Sequence, residues 1–217
     1  STVPCSTKWM KGTVNSFYIG IIATFIATVL GTMAALGLSR PHMPYKALIM
    51  SILISPMIVP LIITAAGMFF FYARINLVYT FTGVILAHVA LATPFVVITV
   101  TATLVGFDMN MVKAAQSLGA KPMRTFFKVI MPLILPGIIS GALFAFITSF
   151  DEVVIVMFMA SIDQLTIPKQ MWAGIRQEIS PVILCMATCL VILSIVLLTT
   201  VELLRRRAER LRGIKAR

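Results

Sequence analysis

Five stretches of this chain are apolar for long enough to cross a bilayer, and that limits its fold more than any other feature. They cover approximately residues 15–38, 47–72, 80–105, 133–159 and 179–203, each at or above the roughly 20 helical residues that a hydrocarbon core requires. None alternates apolar and polar residues as a barrel strand does. Each is therefore expected as a helix whose backbone bonds are satisfied internally. Composition agrees: 59% of the 217 residues are hydrophobic and 12% are charged, with mean hydropathy +1.02. Soluble domains are less apolar and carry about twice that share of charge. A soluble globular protein and a disordered chain are both excluded. The expected class is all-α, a polytopic membrane protein with five spans, organised as one domain over residues 1–217. The first span is too long for a signal peptide, and Arg40-Pro41 follows it where a cleavage site of small residues would stand.

The net charge of +11 would suggest nucleic acid in a soluble protein. Here the basic residues lie between and after the apolar runs, so they read as orientation signals, and no nucleic-acid partner is expected. One group of connections holds Arg40 and Lys46, then Lys113, Lys121, Arg124 and Lys128, then the tail from Arg205 to Arg217. The other holds Lys8 and Lys11, Arg74, and Lys169 with Arg176. The first carries 13 Lys and Arg, the second five. The first group is expected in the cytoplasm, with the tail near anionic lipid. On this topology the chain starts outside, at Ser1 and without an initiator Met. One further span before it is the expectation, making six in the full protein. Three cysteines cannot build a disulfide framework.

Residues 106–132, GFDMNMVKAAQSLGAKPMRTFFKVIMP, form the one long cytoplasmic loop. Asp108 suits an N-cap and Met109 to Leu118 a short helix. Gly119 suits the left-handed position just past the helix. Pro122 suits the start of a second short helix. Ala114 and Ala115 are small enough for a partner's surface to approach. On spacing alone, a helix lying on the membrane and a helix docking a protein stand level.

This loop resembles the signature of permease subunits of binding-protein-dependent ABC importers: E-A-A, three residues, G, nine residues, I-x-L-P. The matching residues are Ala114-Ala115, Gly119 and Val129-Ile130-Met131-Pro132. Lys113 stands where the family usually has Glu, which reverses a charge, and Val129 and Met131 replace Ile and Leu. Residues 148–155, TSFDEVVI, and 165–181, LTIPKQMWAGIRQEISP, are similar to permeases of the spermidine/putrescine type, in particular the second of their two permease subunits. So are Pro94-Phe95-Val96-Val97 and Gly106-Phe107-Asp108. The resemblance implies a type I ABC importer permease in a bacterial inner membrane. It implies a second permease subunit as partner, a dimer of ATPase subunits and a periplasmic solute-binding protein. It makes Asp108, Ala114, Ala115, Gly119 and Pro132 the coupling segment that sits in the ATPase. The chain has no G-x-x-x-x-G-K-[ST] phosphate loop, so ATP is expected on the partner and no cofactor on this chain.

Asp151 and Glu152 are the sharpest feature of the apolar region, because an acid near a helix centre costs about 2.5–3.5 kcal/mol on insertion scales. At about 100° per residue, Gly137, Gly141, Phe144, Thr148, Asp151 and Glu152 share one helix face. That face is expected to line a solute path or meet the partner permease. The alternative is an acid pair at the outer helix end, reaching headgroups or pairing with Arg176 or Lys169. Pro56 and Pro60 are expected to bend or interrupt the second span, and broken helices often line transport sites. Pro94 has the same two readings, path or simple kink. His88 reads as a packed, hydrogen-bonded histidine. Cys185 and Cys189 read as small hydrophobes and not as a metal site. The outer loop 160–178 suits a short helix with Trp172 at the interface, touching either the delivery protein or lipid. The expected function is import of a small cationic solute, which the resemblance makes a polyamine. The same machinery could carry an amino acid derivative, thiamine, an organophosphonate or an iron complex. An intramembrane enzyme lacks its motifs here. A channel or secondary transporter would leave the loop spacing without a use.

Overall fold

A computed structural model describes residues 5–40, 43–105, 110–177 and 181–211, and among these every regular element is helical. The long helices are α1 (Cys5–Leu38), α4 (Phe81–Val105), α7 (Met131–Phe150) and α10 (Pro181–Leu211). Between them lie α2 (Lys46–Ile58), α3 (Leu61–Arg74), α5 (Asn110–Ser117), α6 (Pro122–Thr125), α8 (Val154–Met159) and α9 (Ile167–Gln177). A π turn, Phe126–Ile130, joins α6 to α7. There the Met131 N–H reaches back to the Phe126 carbonyl, just before Pro132, which has no N–H to offer.

Four helices are long and apolar enough to span a membrane, and the α2–α3 pair, bent by 104°, counts as a fifth if the two halves are one broken span. The bend has a readable cause. Pro60 forces Val59 into an extended conformation, φ −71° and ψ 135°, and α2 stops there. Pro56 leaves α2 intact. Its missing N–H would have paired with the Ile52 carbonyl, and the Ser55 hydroxyl donates to that carbonyl instead at 2.8 Å. Thr80 caps α4: its hydroxyl oxygen accepts the Gly83 N–H at 3.0 Å.

The core is where α1, α4 and α7 meet. The apolar window of α4 is 67% buried against 6% for that of α10, so α4 is central and α10 peripheral. Small residues allow the close approach. A Cβ at Gly31 would meet Val96 at 2.7 Å, and one at Gly137 would strike Thr103 and the Thr99 carbonyl. One at Gly141 would lie 2.9 Å from the Val96 Cα. Gly137 and Gly141 therefore belong to a helix contact within the chain, not to a solute-lining stripe. The fourth span also differs from expectation. It does not run unbroken to residue 159, since α7 ends at Phe150 and α8 restarts at Val154. The first helix starts earlier than expected, at Cys5.

Gly141→Leu should destabilise the fold by about 1–3 kcal/mol through overpacking. Gly67→Ala, where a Cβ would meet nothing within 4 Å, should be neutral or slightly stabilising. Thermal aggregation of the two variants in detergent, compared with wild type, checks this; equal midpoints would remove the α4–α7 contact from the account.

Candidate functional site

The two adjacent acids sit at the break between α7 and α8, and the break gives them different tasks. Asp151 ends α7 with φ −88° and ψ 0°, its N–H bonded to the Ile147 carbonyl at 3.0 Å. Glu152 is buried, and its carboxylate accepts the Ile155 N–H at 2.9 Å. It thereby satisfies a free amide in the first turn of α8, where a negative charge also favours the helix dipole. Asp151 is exposed and lines an open cavity of about 90 Å³ with Phe150, Pro168, Leu193 and Ser194 among its walls.

The other end of α8 is held as firmly. The Lys169 ammonium donates to the Val156 and Ala160 carbonyls, both at 3.0 Å, and the Tyr79 N–H bonds the Met159 carbonyl at 2.9 Å. Half-burial lowers the Lys169 pKa from the ordinary lysine value. Lys169 thus meets carbonyls in place of the acid pair considered from sequence. The Arg176 side chain lies outside the described residues. Six residues are too few for a helix to persist unaided, so α8 depends on these end contacts and on the burial of Ile155, Val156 and Met159.

Around this segment the expected residues fall into distinct places. Thr148 is half-buried on the last turn of α7, and Phe144 stacks on Phe95 of α4 with ring centroids 6.5 Å apart. α3, the half of the broken span that follows Pro60, packs against α8, so the break lies in the element beside the acids. His88 of α4 is fully buried and its Nδ1 is 2.7 Å from the Ser149 hydroxyl of α7. It is the packed, hydrogen-bonded histidine expected. Cys185 and Cys189 are exposed on α10. Trp172 on α9 is 47% exposed.

The loop between the third and fourth spans forms a second site. Asp108 lies outside the described residues. From Asn110 the chain is helical to Ser117, and Gly119 follows with φ 79°. The Ala120 N–H bonds the Ala115 carbonyl at 3.0 Å and the Gly119 N–H bonds the Gln116 carbonyl at 2.9 Å. This pair of bonds is the Schellman termination, which needs a left-handed residue at that position. A Cβ at Gly119 would meet nothing within 4 Å, so the requirement is for backbone conformation and not for space. Pro122 opens α6, and Pro132 stands in the first turn of α7. Ala114, Lys113 and Leu118 are exposed on this loop, while Ala115 is partly covered.

Residues 27–210 match the model of the family described as binding-protein-dependent transport system inner membrane component. The chain belongs to that family. A curated relative, the spermidine/putrescine transport system permease protein PotC of Haemophilus influenzae, is 29% identical over 198 residues, 91% of this chain and 77% of that protein. The putrescine transport system permease protein PotI of Escherichia coli K12 is 29% identical over 200 residues, 84% of this chain and 71% of that one. Among solved structures, the MetNI methionine ABC transporter in an inward-facing conformation superposes with TM-score 0.69 at 19% identity, covering all of both chains. This inner-membrane permease therefore has the type I ABC importer fold, with several spans and the signature loop between the third and fourth.

Lys169, Tyr79 and Ser55 were missed as structural residues by sequence reasoning, because each bonds to backbone and no side-chain pattern marks it. Glu152→Ala should lower stability by about 1–2 kcal/mol, the usual loss on removing a cap, and Glu152→Gln by much less because its amide oxygen still accepts. The thermal midpoint of the purified protein checks this; equal losses in both variants would deny Glu152 its capping role.

Proposed function

We propose that this permease is the second, PotC-like subunit of a polyamine importer, moving putrescine or spermidine inward across the membrane. It works with a second, non-identical permease, a dimer of ATPase subunits that bind and hydrolyse ATP, and a periplasmic delivery protein. The chain itself carries no cofactor. Residues 106–132 and the C-terminal tail lie in the cytoplasm, as the Lys/Arg asymmetry favours. The observation that carries the importer reading is the Schellman turn at Gly119, which stands at the signature spacing from Ala114-Ala115 and from Pro132.

Kinship with PotC and PotI supports the cargo, and so does the exposed carboxylate of Asp151. A polyamine must shed water to enter a narrow path, and an acid there offsets part of that cost, since opposite charges attract more strongly where the dielectric is low. Glu152 is engaged at α8, so Asp151 is the member of the pair free to meet an ammonium. Tight binding by the permease is not required. The delivery protein supplies affinity, and the path must release its load. Pro60 contributes by setting the bend beside this segment, Pro56 stands within α2 just before it, and Thr148 lies one helical turn before Asp151.

Two variants separate cargo handling from coupling. Asp151→Asn should lower putrescine and spermidine uptake by about tenfold, on the scale of one desolvated charge contact, with assembly and stimulated ATPase activity retained. Uptake of radiolabelled polyamine, normalised to assembled complex, is the measurement, and unchanged uptake would remove Asp151 from the path. Gly119→Val should abolish most of the ATPase stimulation by loaded delivery protein, whereas Gly119→Asn, which tolerates the left-handed backbone, should keep most of it. Equal behaviour of Val and Asn would mean that the turn conformation does not serve coupling.

A further inference from the structure

The outer helix α9 is fastened to two other parts of the chain. On one side it is tied to α1. The Ser16 hydroxyl accepts the N–H of Ile167, the first residue of α9, at 2.9 Å. Asn15 donates to the Asp163 and Leu165 carbonyls at 2.8 and 3.0 Å, and Gln170 donates to the Lys8 carbonyl at 2.9 Å. Gly12 permits that last contact, since a Cβ there would come within 2.8 Å of Gln170 Oε1. On the other side Lys169 reaches the carboxyl end of α8, where its ammonium meets two carbonyls at once. α8 in turn has its first-turn Ile155 N–H held by Glu152 and packs on α3.

We infer that Lys169 is a positioning residue for transport: by joining α9 to α8 it makes them one rigid unit, so that force received on the outer face of α9 reaches Glu152, Asp151 and the bent span. This rests on the importer reading above, in which a delivery protein docks from outside. The chemistry suits the task. An ammonium at a helix carboxyl end complements the dipole, and its hydrogen bonds are charge-assisted. A methionine of similar length would fill the space and leave the Ala160 carbonyl without that donor. The bond is also long-range in effect, since it connects a segment anchored on α1 with one packed on α3.

The full complex, reconstituted in lipid nanodiscs with its ATPase, second permease and loaded delivery protein, tests this through Lys169→Met and Lys169→Arg. The Met variant should assemble, keep basal ATPase activity within about twofold and lose about tenfold in the stimulated rate, on the scale of mutations that alter coupling between sites. Arg, which can donate to the same two carbonyls, should recover most of the stimulation. Full stimulation in the Met variant, or no recovery by Arg, would overturn the inference. If the Met variant fails to assemble, Ser16→Ala, which removes a single bond on the α1 side of α9, must lower the stimulated rate at constant assembly; no change would overturn it equally. A wild-type complex that shows no stimulation would count against the importer reading instead. In that case hydrogen exchange at the amides of residues 154–160 still decides: faster exchange in the variant upholds the clamp, and unchanged exchange refutes it.

Discussion

A backbone amide or carbonyl freed inside a bilayer finds no water, so an interruption of a helix within the membrane needs a partner from the protein. The permease meets that demand with a few side chains at fixed places. The Ser55 hydroxyl takes the carbonyl that Pro56 cannot serve. Glu152 receives an amide at the start of α8, and Lys169 serves two carbonyls at its end. Ser16 receives the first amide of α9 from across the fold. At the cytoplasmic turn the backbone does the same work alone, once Gly119 supplies the left-handed conformation. These bonds decide where helices stop, and where they stop decides which side chains are left exposed.

The division between the two acids follows from this constraint. Adjacent carboxylates in an apolar environment repel, and each is costly to keep charged. Fixing one at a helix end and leaving the other open to a cavity resolves the conflict without losing either. The rigid part of the molecule is the contact of α1, α4 and α7, closed by Gly31, Gly137 and Gly141. The bent pair α2–α3 and peripheral α10 surround it with few buried residues of their own, while α8 buries Ile155, Val156 and Met159 in it.

Much of this was legible from sequence because the signals were local. Helical class and the candidate spans followed from apolar length, the turn from Gly119 and the packed role of His88 from its isolation; of the two prolines expected to interrupt the second span, Pro60 does and Pro56 does not. The end of α7 was not legible. Residues 153–159 are as apolar as those before them, so the dip at Asp151-Glu152 reads as charge placed within one span and not as a helix end. Gly137, Gly141 and Thr148 do share one helix, α7, but the two glycines face α4 and Glu152 lies beyond the helix end, so the stripe is not one surface. Lys169 carried no local sign of its role, since it bonds backbone 13 residues away and the residue type says only that it is cationic. Ser16 and Ile167 are 151 residues apart, a separation at which no sequence pattern speaks.

The most direct measurement is a cryo-electron microscopy structure of the assembled importer with putrescine trapped in it. The account predicts a break between α7 and α8, the Glu152 carboxylate on the α8 amides, and the Asp151 carboxylate within about 4 Å of a cargo ammonium, the usual reach of an ion pair. A continuous helix through residues 151–153, or Glu152 on the cargo with Asp151 turned away, would contradict it.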